Sequence, residues 1–132
     1  MKVLLDTATV IAAIQGRLPV VLRLAQLKPA EVAVSATSRM EAEMALRLTP
    51  QANARFTRLL KDFFAAVKVL DFTEAEAAQA VQLAPYLPQG AEALKGSELQ
   101  LAATALSHQL TLITATPQRF AFIPGLDVER WA

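Results

Sequence analysis

Short apolar stretches alternate with longer amphipathic stretches along the whole chain, a pattern typical of α/β proteins. The short stretches predict strands at residues 3–5, 31–35, 67–72, 110–114 and 126–131. No hairpin signal joins any two of them, so neighbouring strands need crossover connections. We therefore predict a mostly parallel central sheet of four to five strands with helices on both faces, a three-layer α/β/α sandwich.

Glycine, proline and helix-capping residues indicate where the helices are expected to begin and end. Gly16 is predicted to end the first helix, and Pro19 to lie in the first turn of the second. Ser38, with Glu41 three residues later, resembles a capping box that opens a helix reaching about residue 48. Pro50 is expected to separate that helix from the next, which ends near residue 64.

Similar signals mark the second half of the chain. Thr73 and Glu76 form another expected capping box, and Ser97 is predicted to cap the helix before the fourth strand. Residues 85–96, with two Pro and two Gly, are predicted to be a loop. There is no internal repeat and no linker, so residues 1–132 are expected to form a single domain.

Composition restricts the chemistry that this chain can perform. It has no Cys, one His, twelve Asp and Glu, and thirteen Lys and Arg, with a net charge of +1. Disulfides, a thiolate nucleophile and sulfur-based metal sites are excluded. His108, the one imidazole, is expected at the C-terminal end of a helix, where a cation is favoured by the dipole, and we interpret it as structural. Carboxylates and hydroxyls therefore remain.

Charge and hydropathy also bear on partners and location. Charged residues interrupt every apolar run before it reaches the roughly 20 residues that span a bilayer. The apolar run after Lys2 is too short for a secretory signal. We therefore expect a cytoplasmic protein without membrane contact. A net charge of +1 gives no global attraction to nucleic acid, although a local basic groove suffices to bind RNA.

Three carboxylates follow strands or open helices where ligand sites form in parallel sheets. Asp6 comes directly after the first strand, Glu41 lies near the start of the helix after the second, and Glu98 opens a later helix. Converging carboxylates repel unless a proton or cation intervenes, and oxygen ligands suit Mg²⁺ or Mn²⁺. Such an ion activates water and neutralises a scissile phosphate. For Glu41 and Glu98, the alternative is an ordinary first-turn acid favoured by the helix dipole.

Hydroxyl side chains lie near the same predicted edge. They are candidate accessory residues, with turns and helix caps as the alternative role: Thr7, Ser38, Thr114 and Thr116.

Five segments, in this order and spacing, resemble a known family. They are LLDT at 4–7, S-x-x-E at 38–41, ELQLAATAL at 98–106, LTLIT at 110–114 and F-x-x-I-P-G-L-x-V-x-x-W at 120–131. Together they resemble the PIN-domain nucleases, most closely the VapC-like toxins of prokaryotic toxin–antitoxin pairs. The resemblance covers the whole chain and implies a PIN-like fold.

The resemblance also implies an activity. Members of this family are Mg²⁺- or Mn²⁺-dependent endoribonucleases, usually dimeric, that hydrolyse RNA phosphodiester bonds and are inhibited by a VapB-type antitoxin. Carried over by residue, the acids are Asp6, Glu41 and Glu98, with Asp6 and Glu98 as metal ligands. Arg39, two residues before Glu41, is a candidate contact for RNA or antitoxin. An apolar run in the second helix suggests a dimer face, formed by Val20, Val21, Leu22 and Leu24.

The chain departs from the family pattern at three places in the sequence. Glu98 replaces the usual Asp, and Ala8 stands where Asn is common. Thr116 and Arg119 take the place of a fourth acidic or amide group. Arg119 is expected either to pair with Asp6 or Glu98 or to grip RNA phosphate. Two hypotheses follow: a working or weakened metal-dependent ribonuclease, and a degenerate PIN domain that binds RNA or antitoxin without cleavage.

Overall fold

A parallel β-sheet runs through the centre of the molecule. The structure is a computed structural model that describes residues 1–49 and 54–131. Within these ranges the sheet has five strands, ordered β3-β2-β1-β4-β5, and every pairing is parallel. The strands are β1 (Val3–Leu5), β2 (Val32–Ser35), β3 (Lys68–Leu70), β4 (Thr111–Ile113) and β5 (Val128–Glu129). The prediction of a mostly parallel sheet with crossover connections is confirmed.

Helices cover both faces of this sheet. They are α1 (Thr7–Ile14), α2 (Leu18–Ala25), α3 (Ala36–Arg47), α4 (Ala54–Ala66), α5 (Glu74–Val81) and α6 (Gly96–His108). Short 3-10 turns lie at Pro29–Glu31, Ala84–Tyr86, Gly90–Glu92 and Pro117–Phe120. Two of these turns fall in the predicted loop at 85–96. No single described helix is long and apolar enough to cross a membrane, although α1 and α2, bent by 93°, pass that test as a pair.

The pleat of β1 divides the core into two parts. Val3 and Leu5 point to one face and pack with residues of α1 to α4, whereas Leu4 points to the other and packs with residues of α6 and the turn around Phe120. Successive side chains of a strand alternate between faces, so a strand buried on both sides must be apolar throughout. This explains the uninterrupted apolar run, and the predicted three-layer architecture is confirmed.

The predicted capping box at Ser38 is wrong. Helix α3 begins at Ala36, and Ser35, the last residue of β2, is its cap: the Ser35 Oγ accepts a hydrogen bond from the Ser38 backbone N–H at 3.0 Å. Strand and helix therefore adjoin with no residue between them. Glu41 consequently lies in the second turn, where it does not serve the helix end.

The predicted cap of α5 is confirmed, whereas the predicted cap of α6 is wrong. The Thr73–Glu76 capping box is confirmed at the start of α5. Ser97 does not cap α6, because the cap residue is Lys95, whose backbone N–H donates to Glu98 Oε1 at 2.8 Å. The predicted break at Pro50 lies outside the described residues.

Helix α6 ends at a residue in the left-handed conformation. Gln109 has φ 56° and ψ 46°, and the backbone N–H of Leu110 donates to the Ala105 carbonyl at 2.8 Å. Glycine usually occupies such a position, because a Cβ atom is strained there. The turn brings the chain directly into β4.

Candidate functional site

Asp6 is fixed at the carboxyl end of the central strand β1. Its Oδ1 accepts a hydrogen bond from the Thr9 backbone N–H at 2.8 Å, which makes it the cap of α1. Its Oδ2 accepts one from the Ala115 backbone N–H at 3.1 Å, beyond the end of β4. The residue is only 8% exposed. Each oxygen has a further lone pair that these two bonds leave unused, so Asp6 can still accept a proton donor or a cation.

Glu41 reaches the same corner through Thr7. The Thr7 hydroxyl donates to Glu41 Oε1 at 2.7 Å and so links the first residue of α1 to the second turn of α3. The bond therefore holds the carboxylate of Glu41 against Thr7, the residue that directly follows Asp6 in the sequence. Thr7 thus acts as a positioning residue for Glu41.

Glu98 is held by an arginine fork. Arg119 donates from Nε to Oε2 at 2.5 Å and from Nη2 to Oε1 at 2.8 Å. The bond from Arg119 lowers the pKa of Glu98, and although burial opposes this, the net direction is downward. In turn, the carboxylate of Glu98 raises the pKa of Arg119 above its ordinary value. Among the alternatives for Arg119, the structure shows the pairing with Glu98.

A hydrogen bond joins α3, which carries Glu41, to α6, which carries Glu98. Thr37, one turn before Glu41 on α3, donates from its hydroxyl to Gln100 Oε1 at 3.0 Å. Gln100 lies two residues after Glu98 on α6 and is a residue that the sequence reasoning missed. It stands between Leu99 and Leu101, and a lone amide in an apolar stretch was a usable signal.

Comparisons with known proteins agree with this architecture. The family model described as "PIN domain" matches residues 3–122. This chain belongs to the PIN-domain family. No curated protein matches it.

Solved structures resemble this PIN domain over its whole length. VapBC2 from Rickettsia felis, bound to a DNA fragment from its promoter, has a TM-score of 0.84 at 21% identity, with 100% of each chain covered. DNA-bound VapBC from Salmonella typhimurium has a TM-score of 0.84 at 23% identity, with 100% of this chain and 99% of that chain covered. A toxin–antitoxin complex from Klebsiella pneumoniae has a TM-score of 0.74 at 26% identity, with 95% of each covered.

The remaining hydroxyl residues of this PIN domain act on the backbone. Thr114 is buried, and its Oγ1 accepts from the Thr116 backbone N–H at 3.1 Å, with the Thr116 hydroxyl 3.4 Å away. This small turn presents the Ala115 N–H to Asp6. Ser38 is a buried residue of α3, and its backbone N–H donates to the Oγ of the cap residue Ser35. The hydroxyl contacts of Thr114 favour its structural alternative, whereas the bond at Ser38 is made by its backbone N–H.

Within the described residues, Arg39 is not paired with Asp6, Glu41 or Glu98, and its carboxylate partner is Glu43. Arg39 lies two residues before Glu41, which corresponds to about 200° around an α-helix. Its Nε donates to Glu43 Oε1 at 3.0 Å, and its guanidinium lies 4.9 Å from the centre of the Phe64 ring on α4. Beside it is a cavity of about 230 Å³ that Lys61 also lines. Arg39 therefore belongs to the α3–α4 side of the molecule.

The three predicted acids do not form a ready metal centre. Carboxylate oxygens are the right donors for Mg²⁺ or Mn²⁺, and Asp6 and Glu41 fit that chemistry. Glu98, however, is engaged by Arg119. No group of three His, Cys, Asp or Glu residues within 1–49 and 54–131 is placed to hold a metal ion. The arrangement offers Asp6 and Glu41, which are linked through Thr7, and a third acid, Glu98, that is paired with a cation.

Proposed function

We propose that this PIN domain is an endoribonuclease toxin of the VapC type that hydrolyses RNA phosphodiester bonds and is restrained by a VapB-type antitoxin. One observation carries the catalytic part: Asp6 is clamped by two backbone N–H groups, and the next residue, Thr7, holds the carboxylate of Glu41 by a hydrogen bond. Such clamping fixes carboxylates within the small tolerance that catalysis demands. PIN domains of VapC toxins are generally nucleases, which agrees with this chemistry.

We propose Mg²⁺ or Mn²⁺ as the cofactor. When bound, such an ion supplies an activated water and neutralises charge on the phosphate. Asp6 and Glu41 would hold it, and Glu98 would join them only if Arg119 left its carboxylate. The Thr7 hydroxyl holds the carboxylate of Glu41, and the Ala115 backbone N–H holds that of Asp6.

The fork between Arg119 and Glu98 favours a second candidate function. With its third acid neutralised, the domain loses a carboxylate that the proposed reaction needs. The second candidate is a PIN domain that binds RNA or antitoxin without cleaving RNA. Both candidates share the fold and the partner, and they differ only in whether the phosphodiester bond is hydrolysed.

Cleavage of a labelled single-stranded RNA in Mn²⁺ or Mg²⁺ distinguishes the two candidates. The endoribonuclease predicts metal-dependent cleavage that Asp6→Asn abolishes and that Asp127→Asn, at an exposed acid before β5, leaves intact. RNA binding without cleavage identifies the second candidate. Equal cleavage by the wild type and Asp6→Asn would contradict the proposed site, because the activity would then come from elsewhere.

An apolar groove beside α4 supports the antitoxin as a partner. It has a volume of about 630 Å³, and its lining is mainly apolar. Apolar residues along it include Ile14, Val21, Leu24, Leu59 and Phe63. Toxin–antitoxin complexes are among the structural neighbours, and we propose that an apolar segment of the antitoxin fills this groove.

Co-purification with a VapB-type antitoxin tests this surface. Leu59→Glu places a charge in the groove and is expected to abolish co-purification. Val81→Glu places the same charge on α5, where the side chain is 72% exposed and outside the groove. Loss of binding in both variants, or in neither, would contradict the proposed location.

We also propose a homodimer. Val20, part of the expected dimer face, is buried inside the molecule. Leu18 and Leu22, four residues apart on α2, are instead 66% and 59% exposed. Residues four apart lie on one helix face, so these two leucines form an apolar strip. Light scattering of the wild type should give twice the monomer mass, and Leu22→Glu should give the monomer mass.

A further inference from the structure

Arg119 is anchored more firmly than a typical surface arginine. Its backbone N–H donates to the Thr116 carbonyl at 3.1 Å, and the next residue, Phe120, is buried in the core. Its Nη2 also donates to the Ala93 carbonyl at 3.2 Å. The side chain is only 32% exposed and that of Glu98 16%. The backbone of Arg119 is thus fixed, and its guanidinium is held by two partners, Glu98 and the Ala93 carbonyl.

The fork uses the oxygens that a metal ion would need. Glu98 Oε1 accepts from both Arg119 Nη2 and the Lys95 N–H, and Oε2 accepts from Arg119 Nε. A planar guanidinium pairs with a carboxylate in this bidentate way, which fixes both oxygens. A divalent cation at the same oxygens would also be repelled by the positive charge of the arginine.

We propose that Arg119 is an internal cation that competes with divalent metal for Glu98. Binding of metal at Glu98 then requires the guanidinium to leave both oxygens. Arg119 sets the metal affinity of the site and is a positioning residue, since it acts through Glu98. This inference rests on the proposed metal-dependent function, and it identifies Arg119 as the residue that limits binding of the metal ion at Glu98.

The proposal predicts that removing Arg119 raises the affinity of the site for divalent metal. Arg119→Gln keeps a polar side chain and removes both the charge and the fork. We expect it to bind Mn²⁺ about tenfold or more tightly than the wild type, within the range of couplings between two competing ligands. The double variant Glu98→Gln with Arg119→Gln should lose that gain, because the contested carboxylate is gone.

Mn²⁺ alone is the probe. Its binding to the purified full chain is measured by electron paramagnetic resonance of free Mn²⁺, which requires no RNA and no activity. Arg47→Ala is the matched control, because Arg47 also lies near a carboxylate, 4.0 Å from Glu43, but on the far side of α3. It should leave Mn²⁺ affinity unchanged. Circular dichroism confirms that each variant is folded.

A conservative variant keeps the test decisive if Arg119→Gln does not fold. Arg119→Lys retains the charge but cannot form the fork, so its Mn²⁺ affinity should lie between those of the wild type and a neutral variant. Equal Mn²⁺ affinity in the wild type and in every folded Arg119 variant, or no binding by any of them, would overturn the proposal.

The failure of this inference can be told apart from failure of the nuclease function. Higher Mn²⁺ affinity in Arg119→Gln without RNA cleavage by any form supports the competition and contradicts the nuclease. Metal-dependent RNA cleavage by the wild type, with Mn²⁺ affinity unchanged by Arg119→Gln, supports the nuclease and contradicts the competition.

Discussion

Glu76 and His108 join the start of α5 to the end of α6, with Oε1 of Glu76 3.0 Å from Nε2 of His108. Glu76 is 4% exposed, and the Thr73 hydroxyl and backbone N–H both donate to its other oxygen. These bonds hold the pKa of Glu76 at about 2. The bond from the Thr73 hydroxyl lowers the pKa most, and the bond with His108 is the next largest cause. His108, ten residues after Glu98, lies about 15 Å along the helix from the carboxylate site.

The lowered pKa of Glu76 makes stability depend on pH. The folded-state pKa of about 2 lies below the ordinary 4.5, so its contribution is complete above pH 4.5 and is lost as pH falls toward 2. Glu76→Gln should lower the free energy of unfolding by about 1–3 kcal/mol at pH 7, the cost of weakening a buried charged hydrogen bond. Guanidinium unfolding at pH 7, 5, 4, 3 and 2 measures both forms.

The difference between the wild type and Glu76→Gln should shrink as pH falls from 4.5 to 2. Glu74→Gln, at an exposed acid in the same helical turn, is the control and should follow the wild type at every pH. A constant difference between the wild type and Glu76→Gln over that range would show that Glu76 does not titrate as the structure indicates.

The sheet was predictable because its strands are buried on both faces. Leu4 and Leu5 illustrate this: neighbours on one strand, they enter opposite cores, so the run is apolar without interruption. The start of α3 was misplaced for a local reason. Ser35 and Ser38 both fit a cap, and the choice depends on where β2 ends, which pairing across the sheet decides.

Side-chain pairings at the site were less predictable. Sequence placed Asp6 and Glu98 at one edge but left Arg119 with several alternatives, because its partner is 21 residues away and depends on how the turn before it folds. Thr37 and Gln100, 63 residues apart, gave no pattern that pairs them. Sequence periodicity reports which face a residue takes, whereas such bonds depend on how elements pack.

The hydroxyl of Thr7 should matter more for cleavage than for stability. Thr7→Val removes the 2.7 Å bond to Glu41 while keeping the shape of the side chain. Loss of one partly buried hydrogen bond costs about 1 kcal/mol of stability. If Glu41 then shifts by about 1 Å, RNA cleavage should fall by up to about a hundredfold. Cleavage rates and thermal melting measure the two effects, and Thr7→Ser, which keeps the hydroxyl, should restore cleavage.

Gln109 is a site where substitution should stabilise the protein. Its left-handed backbone, with φ 56°, costs a non-glycine residue about 1–2 kcal/mol. Glycine avoids this strain, but it also makes the unfolded chain more flexible, which offsets part of the gain in stability. Gln109→Gly should therefore raise the free energy of unfolding by about 0.5–1 kcal/mol. Guanidinium unfolding at pH 7 checks this, and Gln109→Ala should give no such gain.

Arg39 remains a proposed contact for RNA or antitoxin. Arg39→Ala should weaken RNA binding severalfold and flatten its salt dependence, as expected when one phosphate contact is lost. Arg23→Ala, at an exposed arginine of α2 outside the cavity beside Arg39, is the control and should leave RNA affinity unchanged. Loss of the Phe64 contact costs about 0.5–1 kcal/mol in stability, so melting is measured alongside. Unchanged affinity for both RNA and antitoxin would remove Arg39 from the interface.

The bond from Ala115 to Asp6 joins residues 109 positions apart, and it has a consequence for synthesis. Strand β1 is synthesised well before one of its two neighbours, β4, and before the turn that clamps Asp6, because both lie more than 100 residues later in the sequence. A nascent polypeptide that stops after α5 therefore has β1 paired on one side only. Such a chain carries Asp6 and Glu41 but lacks Glu98 and the Ala115 N–H, so the hydrogen bonds that fix Asp6 are completed only after the turn that follows β4 has been synthesised.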